Sequence, residues 1–203
     1  MEGRQVMSQD DRSRWDERYG SGAYADRSHP STYLVENKSL LLKLAGRAAA
    51  DLACGRGRNA RYLAALGFEV DGFDVSPVGI DLAADDSRRH LSDEASARVS
   101  WFARDLLESA LPDGAQYDLI LMIRFVAPDL LADVVKKNLR SGGLIVVEEH
   151  LVWPGSEQIT GPESNRFRVA PGTLGMSVAG MQVIHSHEGL VTDPDGEQAA
   201  VAR

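Results

Sequence analysis

Three aspartates and a pair of glycines carry the chemistry this sequence offers. The stretch "DLACGRGRN" holds Asp51, Gly55 and Gly57, Asp74 closes "FEVDGFD", and Asp105 follows in "WFARDL". Glycine costs backbone entropy, so two of them after a run of small residues ask for a chain path without side chains. Three readings of that path stand side by side. In the first, the glycines only turn the chain sharply from strand to helix. In the second, "GRGRNA" is a dinucleotide fingerprint of the form G-x-G-x-x-A, and Asp74, 19 residues after Gly55, is its ribose-binding acid. In the third, the corner admits a nucleoside whose other end is cationic. Asp51 separates the last two. A pyrophosphate gains nothing from a carboxylate in the strand feeding its loop, whereas a ligand bearing an ammonium and a sulfonium does. Asp105, at a third strand end, suits the exocyclic amine of adenine.

Acids at successive strand ends need alternating strands and helices to hold them. "RAAADLAC" reads as a strand despite alanines that favour helix, because a glycine corner comes directly after it. "RNARYLAALG" places Ala60, Leu63 and Ala64 on one helical face and stops at Gly67. "FEVDGFDV" alternates as a strand bounded by Ser76 and Pro77, "VGIDLAADDSRRHLSDEA" is an acidic amphipathic helix, and "RVSWFARDL" is a short strand. "YDLILMIRFV" is continuously apolar from Leu119 to Ile123, as a strand covered on both faces must be. "DLLADVVKKNLR" predicts a helix stopping at Gly142 and Gly143, and "LIVVEEH" a fifth strand. "MQVIHSHEGLV", "TDPDGEQ" and "AAVAR" read as strand, turn and strand, a hairpin at the sheet edge. Before the alternation, residues 1–30 form a polar leader with Trp15, Tyr19 and Tyr24, and a helix is expected from a Ser31 cap through "TYLVENKSLLLKLA" to Gly46. The fold class is α/β, a doubly wound, mostly parallel sheet with an antiparallel strand near one edge.

Composition bounds the partners. The chain of 203 residues suits one well-buried core, read as a leader or lid over 1–30 and a single domain over 31–203. A net charge of −8 disfavours a nucleic-acid backbone and points to a small molecule. No apolar run spans a bilayer, and the charged start is not a secretory signal, so no membrane role and a cytoplasmic location are expected. The single Cys54 makes neither an internal disulfide nor a cysteine zinc site. The ending "AAVAR", without a polar tail, suits a chain that runs further. Oligomeric state is not legible.

"DLACGRGRNARYLAALGFEVDGFDVS", "ARDL", "YDLILMIRF" and "LRSGGLIVVEEH" resemble class I S-adenosylmethionine-dependent methyltransferases in order and spacing, over roughly residues 12 to 203. "WDERYGSGAY", "ACGRGRN", the "RF" after the fourth strand and "GPESNRF" resemble more narrowly the bacterial branch related to tellurite-resistance and thiopurine methyltransferases. The resemblance implies a seven-stranded Rossmann-like methyltransferase fold and S-adenosylmethionine as cofactor. It implies that Asp51, Ala53, Gly55 and Gly57 cradle the methionine end, that Asp74 with Val75 binds ribose, and that Asp105 and Leu106 flank adenine. Trp15 and Tyr19 match the W-x-x-x-aromatic spacing of a segment that approaches the cofactor there, and Arg124 matches an arginine that reaches cofactor or substrate. Ala53 stands where the wider class often has glycine. Ala127 and Pro128 stand where the narrower branch often carries histidine and arginine, so any role of those side chains is missing.

Methyl transfer from a sulfonium is an in-line displacement in which the protein mainly aligns the reactants. A thiolate, selenide or telluride acceptor requires no general base; a hydroxyl or amine does. Glu148 and His150 are expected to face the substrate, with Tyr24, Tyr33 and Phe125, whereas Glu149 reads as an ordinary polar strand end emerging into solvent. Trp15, Tyr19, Tyr24 and Tyr33 read as a lid or as aromatics packing on the sheet edge. The proline-punctuated stretch "WPGSEQITGPESNRFRVAPG" is expected to line the acceptor pocket. His185 and His187 share a face of an exposed edge strand and have no third ligand nearby, so no metal is expected. His29 and His90 carry no motif, and Cys54 reads as a small packed residue. The rival functions are a non-catalytic S-adenosylmethionine sensor, favoured by Ala127 and Pro128, and a nicotinamide-dependent reductase.

Overall fold

The computed structural model describes residues 9–109, 111–155, 158–193 and 196–203. Seven strands form one sheet in the order β3-β2-β1-β4-β5-β7-β6. They are β1 (Ala48–Leu52), β2 (Glu69–Asp74), β3 (Val99–Ala103), β4 (Tyr117–Ile123), β5 (Leu139–His150), β6 (Glu188–Thr192) and β7 (Gln198–Ala202). β1 to β5 run parallel, and β7 is antiparallel to both β5 and β6, between which it lies. The expected fold class is therefore the one observed. The chain reverses its direction of growth between β1 and β4, so the crevice at their carboxyl ends is where a ligand of such a sheet binds.

The sheet separates two apolar clusters. On one face Leu52, Phe73, Ile120, Met122 and Ala200 pack with α7 (Pro128–Asn138) through Leu130, Leu131 and Val134. On the other, Ala49, Val70, Leu119 and Leu121 pack against Leu63 of α4 (Arg58–Ala65) and against Leu34 and Leu41 of α2 (Thr32–Glu36) and α3 (Lys38–Leu41). This explains the alanines of β1. Flanked by β2 and β4 and fully covered on both faces, the strand is held by ladder bonds and burial that outweigh helix propensity. α5 (Pro77–His90) starts at Ser76, whose hydroxyl accepts the Gly79 amide at 3.0 Å, has Pro77 in its first turn and carries Arg88, Arg89 and His90 in its last.

Several boundaries differ from expectation. The leader contains a helix, α1 (Gln9–Gly20). The helix expected from Ser31 is broken at Asn37 into α2 and α3, and the Ser31 side chain makes no cap bond; its amide instead donates to Asn59 Oδ1 at 2.9 Å. α5 stops at His90, and a separate turn, α6 (Asp93–Ser96), comes next under its own Ser92 cap. Gly142 and Gly143 do not stop α7, which ends at Asn138; they lie inside β5, where its register against β4 shifts. Glycine marks bulges as well as helix ends, and a Cβ on Gly143 would come within 2.8 Å of the Arg140 carbonyl. Residues 181–187 are not strand, so His185 and His187 share no strand face. The His187 backbone still exchanges two bonds with Arg203, extending the β6–β7 pairing by one step. The short helix α8 (Thr173–Ser177) lies in the chain between β5 and β6. No described helix is long and apolar enough to cross a membrane.

Candidate active site

The glycine corner leaves β1 in left-handed backbone, with Ala53 at φ 55°, Gly55 at φ 55° and Gly57 at φ 72°. Ala53 bears the steric cost that glycine avoids, and among the described residues only Tyr24 and Arg124 share that conformation without being glycine. All three sit around this corner or at the neighbouring strand tip, the pattern of strain held at functional sites. The two glycines are bare for different reasons. A Cβ on Gly57 would meet the Trp101 ring at 2.2 Å, so its space is used by packing. A Cβ on Gly55 would meet the Tyr19 hydroxyl at 2.9 Å, so its space faces the leader.

Register brings the acids together. Asp51 pairs with Gly72 of β2 and Leu121 of β4, and Asp74 lies two residues on from Gly72, on the same sheet face. Asp74 Oδ2 accepts the Gly55 amide at 2.8 Å and its Oδ1 the Ser76 amide at 2.9 Å. Burial still pushes its carboxyl up to about 6 against these bonds. Asp51 is 1% exposed and its Oδ2 has no hydrogen-bond partner. Burial pushes it to about 7, opposed by Arg58 and the Ala60 amide. A buried, unpartnered carboxylate oxygen at a ligand crevice fits the ammonium of an S-adenosylmethionine methionine end. Asp105 lies just beyond β3, whose Ala103 pairs with Asp74; its Oδ1 caps its own turn through the Leu107 amide at 2.9 Å. Val75 is half-buried, and Leu106 is packed into the core cluster on the α7 side. Cys54 is buried among these groups and its thiol is pushed well up, mainly by burial, as suits a packed residue.

The leader aromatics form a single group above the corner. Trp15 stacks on Tyr19 with centroids 5.6 Å apart, and Tyr24 lies 6.3 and 6.1 Å from the two. Tyr19 is buried over Gly55 and against Gly79, and Asp16 accepts the Ser76 hydroxyl, fastening α1 to the start of α5. Tyr33 stands apart from this group. Its hydroxyl meets His185 Nδ1 at 3.0 Å and its ring lies 4.8 Å beneath the Arg203 guanidinium.

At the tips of β4 and β5, Arg124 Nε donates to Glu148 Oε1 at 3.0 Å and its Nη1 to His150 Nδ1 at 2.8 Å. Glu148 Oε2 takes Arg203 Nε at 2.6 Å. Burial and then Arg124, Arg168 and Arg27 push His150 down to about 3. Glu149 does not emerge into solvent as expected: it is 1% exposed, with Oε1 accepting the Phe125 amide at 3.0 Å. β7 pairs at Glu149 and the Leu151–Val169 bridge covers the chain just beyond His150, so this strand end is interior. The late loop reaches the same place. Gly161 rests on the His150 ring, Arg168 donates to the Pro162 and Leu151 carbonyls at 2.9 Å each, and Arg166 pairs with Asp11 of the leader at 2.9 Å. Sequence reasoning passed over Arg58, Arg168 and Arg203. Arg58 had a signal, since a cation in the first turn of a helix runs against the helix dipole. The other two are placed by long-range contacts that no local pattern announces.

Seven strands in this order, with acids and a left-handed glycine corner at the switch point, define the Rossmann-like methyltransferase fold. The profile of a methyltransferase domain matches residues 49–143, the segment from β1 into β5. Among curated proteins none matches the chain by sequence. The structure is similar to TehB from Haemophilus influenzae, with a TM-score of 0.63, 19% identity, and 93% of this chain covered against 66% of that one. It is similar to the CcbJ methyltransferase from Streptomyces caelestis, with a TM-score of 0.59, 15% identity, and coverage of 84% and 89%. It also resembles the glycopeptide N-methyltransferase MtfA complexed with S-adenosyl-L-methionine, with a TM-score of 0.60, 14% identity, and coverage of 86% and 93%. The methyltransferase-domain profile thus covers the part of the chain that builds the glycine corner and the first four strands, the neighbours share its fold, and one of them is complexed with S-adenosyl-L-methionine.

Proposed function

We propose that the protein transfers a methyl group from S-adenosylmethionine to a small soft nucleophile bound as an anion, a thiolate or metalloid oxyanion, as a member of the branch related to tellurite-resistance and thiopurine methyltransferases. The observation that carries the cofactor reading is the buried, unpartnered Asp51 oxygen beside the left-handed corner. The cofactor supplies an electrophilic methyl on a sulfonium. Asp51, Ala53, Gly55 and Gly57 hold its amino-acid end, Asp74 and Val75 its ribose, and Asp105 and Leu106 its adenine. Trp15 and Tyr19 of the leader, residues 1–30, close over it and exclude water, and Arg124 borders the methyl side.

The electrostatics of the β4 and β5 tips support the acceptor class. His150, pushed down to about 3 by burial and then by the arginines around it, is neutral at physiological pH and too weak a base to take a proton there. The same positive surroundings lower the pKa of an acceptor thiol and hold an oxyanion. An acceptor that arrives deprotonated needs only alignment with the methyl for in-line displacement. Tyr24, Tyr33, Phe125, Glu148 and His150, with the late loop resting on His150, shape that side.

Incubation with methyl-labelled S-adenosylmethionine and a panel of thiols, selenide, tellurite, alcohols and amines tests this. Label is expected on the thiols and chalcogen anions, at rates that follow their deprotonated fraction. Labelling of alcohols or amines alone overturns the acceptor class. Tight cofactor binding with no label leaving it supports the sensor reading instead.

A further inference from the structure

At the tip of β4 the chain turns out of the sheet at one strained residue. Ile123 opposite Glu148 is the last register pair of β4 with β5, and the Arg124 amide still donates to the Glu148 carbonyl at 2.7 Å. Arg124 itself then takes left-handed backbone at φ 64°, a conformation that costs any residue with a Cβ. The turn carries the next amide away from the β5 ladder, and Phe125 donates instead to the side chain of Glu149, with Oε1 at 3.0 Å. Val147, Glu149 and Leu151 alternate onto the α7 side of the sheet, whereas Glu148 projects to the opposite side and takes Arg124 Nε at 3.0 Å. Adjacent carboxyl groups thus hold one arginine from both faces, Glu149 through the backbone just after it and Glu148 through its guanidinium.

Packing does not account for Glu149. It is 1% exposed, and its Oε2 has no hydrogen-bond partner among the described residues. A buried carboxyl with an unpartnered oxygen is costly, and an aliphatic side chain there would avoid that cost. Burial, aided by Glu148, outweighs the Phe125 amide and Arg124 and holds the group well above the usual carboxylate range. That favours the uncharged acid, whose shape and carbonyl oxygen glutamine shares. Two costs, the left-handed Arg124 and the orphaned Glu149 oxygen, therefore meet at one hydrogen bond. We propose that Glu149 is a positioning residue for the reaction, which fixes the turn at Arg124 through the Phe125 amide and so aims the Arg124 guanidinium along Glu148 and His150. The role of Arg124 rests on the function proposed above, in which it borders the methyl side; Glu149 acts on the reaction only through it.

The magnetic-resonance signals of the guanidinium Nε–H groups read this in the whole, ligand-free protein, because Arg124 and Arg203 each donate an Nε–H to Glu148, at 3.0 and 2.6 Å. Arg124→Lys and Arg203→Lys each remove one signal and so identify both. Glu149→Met, which lacks the acceptor, is expected to shift the Arg124 signal and open it to rapid exchange while Arg203 keeps its own; Glu149→Gln is expected to keep both. Survival of both signals in Glu149→Met shows Arg124 held without Glu149 and overturns the proposal. Loss of both shows a merely structural role and overturns it too. If Glu149→Met does not fold, Glu149→Asp, one methylene short of the Phe125 amide, decides in the same way. With methyl-labelled S-adenosylmethionine and thiophenol as acceptor, Glu149→Met is expected to lower kcat about tenfold or more and to leave S-adenosylhomocysteine affinity within about twofold, with Glu149→Gln restoring most of the rate. Equal loss of rate and of S-adenosylhomocysteine affinity puts the effect on the cofactor side and overturns the assignment. A wild type that labels no acceptor overturns the proposed function, and the arginine signals still decide the positioning.

Discussion

A carboxylate buried with one oxygen unpartnered destabilises the protein that holds it, and Asp51 makes that cost measurable. Its ordinary value is 3.8 and the fold pushes it to about 7. Well below pH 3.8 the group is protonated whether the chain is folded or not. As pH rises the unfolded chain loses its proton first, so stability falls through the window from about 4 to about 7 and is lowest above it. The shift corresponds to roughly 4 kcal/mol at pH 8, an order-of-magnitude figure. Asp51→Asn is therefore expected to raise the melting temperature of the ligand-free protein at pH 8 and hardly at pH 4, as scanning calorimetry at both values shows. The same substitution is expected to weaken S-adenosylhomocysteine binding by about tenfold or more, the usual trade between site function and stability. Wild-type affinity should rise from pH 5.5 to 8 as Asp51 and Asp74, the latter near 6, ionise. In Asp51→Asn that rise should be reduced to the contribution of Asp74. A flat wild-type profile contradicts the role given to both acids.

At the scale of elements, the corner between β1 and α4 is held from two sides, by Trp101 under Gly57 and Tyr19 over Gly55. Gly57→Ala combines a left-handed alanine with a collision against an indole, and about 2–4 kcal/mol of stability is expected to be lost in denaturant unfolding. Trp101→Ala in the same chain should return part of that loss, since it removes the collision and leaves only the backbone strain. Full additivity of the two substitutions contradicts the packing account. Tyr19→Ala, by contrast, is expected to leave the corner folded, to open α1 to limited proteolysis and to weaken S-adenosylhomocysteine binding, with added ligand protecting the wild type and not the variant. Much of this element was legible. A glycine-rich segment after a strand and before a helical face has few physical uses. The part that could not be read was which glycine faces a ligand, because Trp101 arrives from β3, more than forty residues further along the chain.

At the scale of the whole molecule, the insertion of β7 between β5 and β6 brings Arg203 onto Glu148 and over Tyr33. One arginine thus ties the last described strand to the sheet centre and to α2. Arg203→Ala leaves Glu148 buried with Arg124 alone, and a loss of about 2–4 kcal/mol is expected in chemical unfolding. Glu148→Gln should be milder, since it keeps hydrogen-bonding atoms where the charge stood. A larger loss for Glu148→Gln than for Arg203→Ala contradicts this account.

The sequence by itself determined the alternation of strands and helices, the glycine corner and the three acids at strand ends, because period, turn chemistry and apolar runs act over neighbouring residues. It misplaced the glycines of β5 and the ending of "LIVVEEH", because a bulge and a helix stop use the same residue, and a strand end is wet or dry according to the segment laid beside it. Only the tertiary structure decided that Glu149 is interior, that His150 is neutral among arginines, and that Asp51 is buried with one oxygen unpartnered. Those outcomes depend on strand order and register, which join residues far apart in the chain and leave no periodic trace along it.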